Sequence, residues 1–206
     1  MEELRHSFHA GQLVLDFEPI VDLTSNEVVG FEALMRWLHR ERGRVRPSVF
    51  IPLADQSDLF LELGAFAIRE AASAASSWLN TNDHGARPYV TVNLLARQFH
   101  ADGLVSMIVG ALRTSGLSPG RLIIEITEGV DLLDVTHTLE VIEELNRLGI
   151  GIALDDFGTG FSSLSYLVPL HPRFIKIDQT FVRPHYESTH DDAPLENSSR
   201  SPINSR

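Results

Sequence analysis

Short apolar runs alternate with amphipathic helical stretches through most of the chain, and this alternation constrains the fold more than any other feature. Strand-like runs at residues 89–94, 122–127, 150–154 and 174–177 are separated by stretches with helical spacing of their apolar residues. Those helical stretches are predicted at 98–113, 136–148 and, as a short helix, 162–167. Continuous apolar strands separated by helices are typical of a parallel sheet buried on both faces. The sequence therefore predicts an α/β fold, either a doubly wound sheet or a (βα) barrel.

The ends of the chain differ in character from this pattern. Two strand-like runs at 13–20 and 27–37 come first, followed by a loop at 42–47, a helix at 50–78 and a loop at 80–88. The last 24 residues, 183–206, are polar and contain few apolar side chains, so they cannot bury enough surface to offset their ordering entropy. We predict one folded domain at 1–182 and a disordered polar tail at 183–206.

Composition excludes several classes of protein. The chain has 206 residues, 43% of them hydrophobic and none of them cysteine, so any metal must be bound by oxygen or nitrogen ligands. A net charge of −11 argues against a nucleic-acid polymer as partner. The first residues do not form a signal peptide, and no apolar run reaches the 18 residues of a membrane span. We expect a cytoplasmic protein without a membrane partner.

Polar side chains recur where the predicted strands end. Because the carboxyl ends of parallel strands meet on one face, these side chains should converge there. Carboxylate and amide oxygens are the ligands that Mg²⁺ and Mn²⁺ prefer. The residues in question are Glu32, Asn93, Glu125, Asp155 and Asp156, with Lys176 and Asp178 on the last strand.

Each of these residues also has a purely structural interpretation. An acid after a strand is often a helix cap, and Lys176 could extend its amine to solvent. Repetition at successive strands favours a metal site, because a cluster of acids without a cation would repel itself. The run DDFGTGFSSL resembles a phosphate-binding turn only in outline. The nine histidines show no metal-ligand spacing, and His6, His9 and His39 are expected on the surface.

Long motifs in a fixed order give the chain a resemblance to the EAL domain family. The match runs from about residue 4 to 182 and includes FEPIVDL, GFEALMRW, PSVFIPLAD, VTVNLLARQF, LIIEITE, LGIGIALDDFGTGFSSLSYL and FIKIDQTFV. The resemblance implies a modified TIM-type barrel with an antiparallel first strand. It also implies that Mg²⁺ or Mn²⁺ supports hydrolysis of cyclic di-GMP to the linear dinucleotide pGpG.

The resemblance further implies a role for each motif residue. Glu32, Asn93, Glu125, Asp155 and Asp156 would bind two metal ions. Lys176 would orient water or stabilise the transition state, and Glu128 would steady the DDFGTG loop. Arg36 would contact phosphate, Leu34 would line the nucleotide site, and Asp178 would lie on the guanine side.

The sequence departs from the family pattern in three places. Glu18 replaces the usual glutamine, and Leu95 replaces the usual serine. After residue 182 the expected A-E-G-V-E-T strand, with its metal-binding glutamate, and the closing Q-G-Y strand have no counterpart. We therefore expect an incomplete barrel of about six of the eight strands.

Three hypotheses follow and stay open at this point. The chain is a metal-dependent cyclic di-GMP phosphodiesterase, a non-catalytic module that binds cyclic di-GMP or a protein partner, or a degraded gene product without a stable fold. An open barrel also leaves two unpaired edges, which a homodimer could cover.

Overall fold

The structure, a computed structural model, describes residues 1–78, 87–127, 135–157, 170–178 and 180–181. The strands are β1 Leu13–Val21, β2 Val28–His39, β3 Gly43–Val45, β4 Tyr89–Asn93, β5 Leu122–Thr127, β6 Gly151–Phe157 and β7 Phe174–Ile177. The helices are α1 Glu2–His9, α2 Pro47–Ala54, α3 Leu59–Ser77, α4 Leu104–Ser115 and α5 Val135–Arg147, with 3₁₀ turns at Ala96–His100 and Pro119–Arg121.

All seven of these strands belong to one sheet. Its order is β1-β2-β4-β5-β6-β7, with β3 paired to β2 outside this path. β1 runs antiparallel to β2, and every pair from β2 to β7 along the path is parallel. The α/β class and the antiparallel first strand are as predicted, and the described residues form six strands along this path, the number expected for the incomplete barrel.

Side chains alternate between the two faces of the parallel strands, as the two-residue period of a strand requires. One face packs against the helices and contains Val90, Val92, Leu122, Ile124 and Ile152. The other face forms the inside of the curved sheet, where the rings of Tyr89 and Phe174 stack at 5.3 Å between centroids. Gly30 makes room for this stack, since a Cβ at Gly30 would lie 2.4 Å from the Tyr89 ring. The inner face therefore has an aromatic layer at the amino ends of its strands.

Two predicted helices are each interrupted. The predicted helix at 50–78 is two helices, because the Ser57 hydroxyl donates to the Ala54 carbonyl at 3.1 Å and accepts from the Leu59 N–H at 3.3 Å. The predicted helix at 98–113 is a 3₁₀ turn followed by α4, because Gly103 adopts a left-handed φ of +81° at the N-cap of α4. In each case the backbone geometry at one residue, Ser57 or Gly103, ends a helix that the spacing of apolar residues predicted to continue.

Helix α1 and strand β3 were not predicted, and α1 explains why the expectation for His39 was wrong. The His39 side chain is buried, and its Nε2 lies 2.8 Å from the Glu3 carboxylate on α1. Its Nδ1 accepts hydrogen bonds from the backbone N–H groups of Glu41 and Arg42. His39 therefore ties α1 to the β2–β3 turn, whereas His6 and His9 are exposed as expected.

Some predictions concern other parts of the chain. The short helix at 162–167, the turn that follows Phe157 and the tail at 183–206 lie outside the described residues. Within the described residues, no helix is long and apolar enough to cross a bilayer.

Candidate metal and phosphate site

Four strands bring the candidate ligands to one end of the inner face. Glu32 on β2 pairs in register with Thr91 on β4, Asn93 pairs with Glu125 on β5, and Thr127 pairs with Asp155 on β6. Parallel strands align their carboxyl ends, so side chains two residues apart on neighbouring strands rise together on the same face. The structure therefore brings together residues that are up to 123 positions apart in the sequence.

Lys176 on β7 lies among three of these carboxylates. Its Nζ is 2.6 Å from Glu125 Oε2, 3.0 Å from Asp155 Oδ2 and 3.1 Å from Glu32 Oε2. The contact with Glu32 joins β7 to β2 across the inside of the sheet, although three strands separate them in the sheet order. The sheet is therefore curved enough for the two to meet, and Lys176 is not extended toward solvent.

Burial makes Glu125 the most perturbed acid of the group. Its side chain is 0% exposed, and its Oε1 has no hydrogen-bond partner within the described residues. Burial raises the pKa of Glu125 and the charge of Glu32 raises it further, whereas Lys176 and the neighbouring Thr91 hydroxyl lower it. A buried carboxylate oxygen without a partner is costly unless a cation or a donor reaches it.

The acids have the opposite effect on Lys176. Burial alone would lower the pKa of this amine, but the hydrogen bond to Glu125 and the charges of Glu32 and Asp155 raise it well above its ordinary value. Lys176 is thus held in its charged form by the acids around it, and it partly neutralises this cluster of negative charges.

The ligand set fits a hard divalent cation. One carboxylate oxygen from each of Glu32, Glu125 and Asp155 lies within 4.8 Å of the others. The Asn93 amide nitrogen donates to Glu32 Oε1 at 3.0 Å, which leaves its amide oxygen available as a further ligand. Three carboxylates and an amide oxygen are donors that Mg²⁺ and Mn²⁺ accept.

The two remaining acids lie next to this cluster. Asp156 has a left-handed φ of +55°, and its backbone N–H donates to Asp155 Oδ1 at 2.9 Å. Burial raises the pKa of Asp156, with further contributions from Asp155 and Asp178. Asp178 accepts from the Thr180 N–H at 2.8 Å, so it also caps the turn after β7. Glu128 lies outside the described residues.

A cavity of about 470 Å³ opens beside the acids. Leu34, Asn93, Asp155 and Asp156 line one side, and apolar side chains of α2 and α3 line the other, with Pro47, Ile51 and Leu63 among them. An acidic rim beside an apolar wall suits a ligand with a flat ring, and its phosphate could approach the acids only through a bound cation. The sequence analysis did not predict this wall, because the approach of α2 and α3 to the strand ends is a tertiary feature.

Arg36 makes contacts that its motif did not predict. Its Nε lies 3.2 Å from Asp16 Oδ2 on β1, and its Nη1 donates to the Met35 carbonyl at 2.9 Å. Arg44 on β3 also forms an ion pair with Asp16. Sequence reasoning missed Asp16 and Arg44, because only the pairing of three strands places them beside Arg36.

Glu18 lies on the same face as the metal-ligand candidates. In the antiparallel pair of β1 and β2 it is directly opposite Glu32. Side chains directly opposite each other in such a pair have Cβ atoms about 5 Å apart. The departure from the usual glutamine therefore adds a carboxylate next to the site.

Comparison with known proteins gives consistent matches. A family model described as the EAL domain matches residues 1–197. The bifunctional diguanylate cyclase/cyclic di-GMP phosphodiesterase MucR of Pseudomonas aeruginosa is 38% identical over 192 residues, which cover 93% of this chain and 27% of that protein. An uncharacterized signaling protein of Caulobacter vibrioides is 40% identical over 181 residues, covering 87% and 22% of the two chains. This chain thus spans about a quarter of the length of these curated relatives.

Solved structures match in the same way. The phosphodiesterase of PaMucR in complex with c-di-GMP has a TM-score of 0.81 and 37% identity, over 92% of this chain and 75% of that one. The EAL enzyme Bd1971, bound to cAMP and cyclic-di-GMP, has a TM-score of 0.82 and 28% identity, over 91% and 53%. BlrP1 of Klebsiella pneumoniae, a calcium/cy-diGMP complex, has a TM-score of 0.67 and 27% identity, over 85% and 42%.

Proposed function

This chain belongs to the EAL domain family, and we propose that its carboxylate site binds cyclic di-GMP with a divalent cation and hydrolyses one phosphodiester bond. The product is the linear dinucleotide pGpG. The observation that carries the proposal is the convergence of Glu32, Glu125 and Asp155 around Lys176 Nζ at 2.6–3.1 Å. An arrangement with several acids and one fixed amine suits phosphoryl chemistry, in which positioning and charge stabilisation supply most of the catalysis.

Mg²⁺ or Mn²⁺ is the proposed cofactor, held by Glu32, Asn93, Glu125, Asp155 and Asp156. Bound there, the cation supplies Lewis-acid stabilisation of the negative charge that develops on the phosphoryl oxygens. Glu125 offers a buried oxygen that needs a partner, and Lys176 holds the cluster together when that partner is absent.

The other residues bind, orient and exclude water. Lys176 donates hydrogen bonds through its protonated amine to the attacking water or to the charged phosphoryl oxygens. Arg36 binds a phosphate group, and Leu34 with the apolar wall of the cavity packs against a guanine. Asp178 accepts hydrogen bonds from the guanine edge, and Glu128 steadies the loop after β6.

Binding without hydrolysis is the second candidate. Glu18 opposite Glu32 adds negative charge beside an anionic ligand, and the described strands end at β7 without a counterpart of the family's next metal-binding glutamate. Such a chain would sense cyclic di-GMP or dock a protein partner. A cytoplasmic location and a homodimer remain predictions under both candidates.

The test is incubation of the purified chain with cyclic di-GMP and Mn²⁺, with chromatography of the linear dinucleotide. We expect product from the unaltered chain, and a fall of about a hundredfold or more in Glu32→Ala, because a metal ligand is lost. Glu140→Ala, which removes an exposed acid from α5, is the matched control and should retain the rate.

Two other results would change the proposal. Saturable binding of cyclic di-GMP without product would replace it with the sensor. Equal rates for Glu32→Ala and Glu140→Ala would show that the carboxylate site is not where hydrolysis occurs.

A further inference from the structure

Beyond the rim of the parallel strands, β1, β2 and β3 continue as an antiparallel extension that carries two arginines around one aspartate. Arg36 on β2 and Arg44 on β3 both pair with the carboxylate of Asp16 on β1. Asp16 Oδ2 faces Arg36 and Asp16 Oδ1 faces Arg44, so one carboxylate bridges two guanidinium groups.

The strand register places this cluster on the same face as the metal-ligand candidates. Glu32, Leu34 and Arg36 alternate along β2, and Asp16 is directly opposite Leu34. Arg44 is opposite Leu38, the next residue of the same row. At a rise of about 3.3 Å per residue, Arg36 lies about 13 Å along the strand from Glu32. The arginines therefore extend the binding face away from the acids.

Both arginines keep hydrogen-bond donors available. A guanidinium has five N–H groups. Arg36 uses Nε for Asp16 and one Nη1 hydrogen for the Met35 carbonyl, and the structure gives Arg44 a bond only through Nη2 within the described residues. The side chain of Arg36 is 21% exposed and that of Arg44 is 58% exposed, so the remaining N–H groups can reach a ligand.

The charge of the cluster differs from that of the site next to it. Two guanidinium groups and one carboxylate sum to a net positive charge, whereas Glu32, Glu125 and Asp155 outnumber Lys176. A phosphate that does not lie at the metal would be repelled by the acids and attracted to the arginines. The Asp16 carboxylate offsets the repulsion between the two guanidinium groups and keeps them side by side.

We propose that Arg44 is a second phosphate-contacting residue, which joins Arg36 in binding the phosphodiester of cyclic di-GMP that is not hydrolysed. The inference rests on the proposed function, because it assigns a further subsite to the same ligand. Planar forks of N–H donors match the paired oxygens of a phosphodiester, and arginine provides this match where lysine does not.

Calorimetric titration of cyclic di-GMP into the full chain in the presence of Ca²⁺, the ion in the BlrP1 complex, tests the inference. Arg44→Gln removes the fork and its charge, and we expect it to weaken binding about tenfold, the effect of one charge-assisted hydrogen bond. Arg44→Lys keeps the positive charge but lacks the planar fork of donors. Its affinity for cyclic di-GMP should lie between that of the unaltered chain and that of Arg44→Gln. Arg40→Gln removes the same charge from the same hairpin and should change affinity by less than about twofold.

The outcomes separate the two proposals. An Arg44→Gln affinity equal to that of Arg40→Gln, in a chain that binds the nucleotide, overturns the role of Arg44 and leaves the proposed function intact. Failure of the unaltered chain to bind cyclic di-GMP overturns both. Ca²⁺ affinity and melting temperature, measured on each variant, should match those of the unaltered chain, because Arg44 lies outside the carboxylate cluster. A lower melting temperature in Arg44→Gln would assign the triad a structural role instead.

Discussion

At the scale of single residues, the partnership of Lys176 with three carboxylates accounts for most of the site. The sequence predicted that acids at successive strand ends would converge, because parallel strands align their carboxyl ends. It could not predict which oxygens Lys176 would contact, since Glu32 and Lys176 are 144 residues apart and meet only through the curvature of the sheet. The burial of Glu125 could not be predicted either, because it results from the packing of β4 and β6 on the two sides of β5.

Replacement of Lys176 by methionine tests this partnership. Three carboxylates would lose their common cation, and we expect the free energy of unfolding to fall by about 2 kcal/mol at neutral pH without metal, less than for a fully buried pair because the amine is partly exposed. Saturating Mg²⁺ should restore part of the loss. The measurement is urea denaturation of both proteins with and without Mg²⁺.

Arg113→Met is the matched control, since it removes one exposed cation from α4. It should unfold at the same urea concentration as the unaltered chain. If Lys176→Met behaved like Arg113→Met, the ion pairs of Lys176 would contribute nothing to stability.

At the scale of elements, strand positions were easier to predict than helix limits. The runs at 122–127 and 174–177 coincide with β5 and β7, because continuous apolar strands leave a strong signal. The predicted helix limits were wrong where the conformation of a single residue interrupts the helix, as at Ser57 and Gly103. Helix α1 was missed because only Leu4 and Ser7 of its eight residues are buried, so its apolar period is weak.

Two glycines inside helices should respond to alanine in opposite directions. A Cβ at Gly64 on α3 would lie 2.1 Å from Gln98 Nε2, and Gln98 would have to give up its bond to the Phe60 carbonyl at 2.6 Å. We expect Gly64→Ala to destabilise the protein by about 2 kcal/mol, since crowding in a packed core exceeds the gain in helix propensity.

Gly110→Ala on α4 is the matched substitution in open space, because a Cβ there meets nothing within 4 Å. It should stabilise the protein by about 0.5 to 1 kcal/mol through helix propensity alone. Thermal unfolding of both variants provides the comparison. Stabilisation of both would show that packing against Gln98 is not tight, and destabilisation by Gly110→Ala would contradict the prediction for open space.

At the scale of the whole molecule, the curved sheet is what makes a single site out of residues on separate strands. Three strands lie between β2 and β7 in the sheet order, yet Glu32 and Lys176 are within hydrogen-bond distance. The motif order predicted the barrel class and the six path strands of the described residues. The contact between Glu32 and Lys176 could not be predicted from any local pattern, because curvature is a property of the assembled sheet.

Lys176 is the chain's single lysine. A ¹³C label on lysine therefore reports both on its contact with Glu32 across the curved sheet and on the carboxylate site. The most direct test of the account is a titration of Mg²⁺, then cyclic di-GMP, into protein labelled with ¹³C-lysine, with the Cε signal followed by NMR. We predict one signal distinct from that of free lysine, which moves saturably with Mg²⁺ and again with the nucleotide. Glu125→Gln should remove the Mg²⁺ response. A signal that neither Mg²⁺ nor cyclic di-GMP moves would contradict the claim that these carboxylates form a metal and nucleotide site.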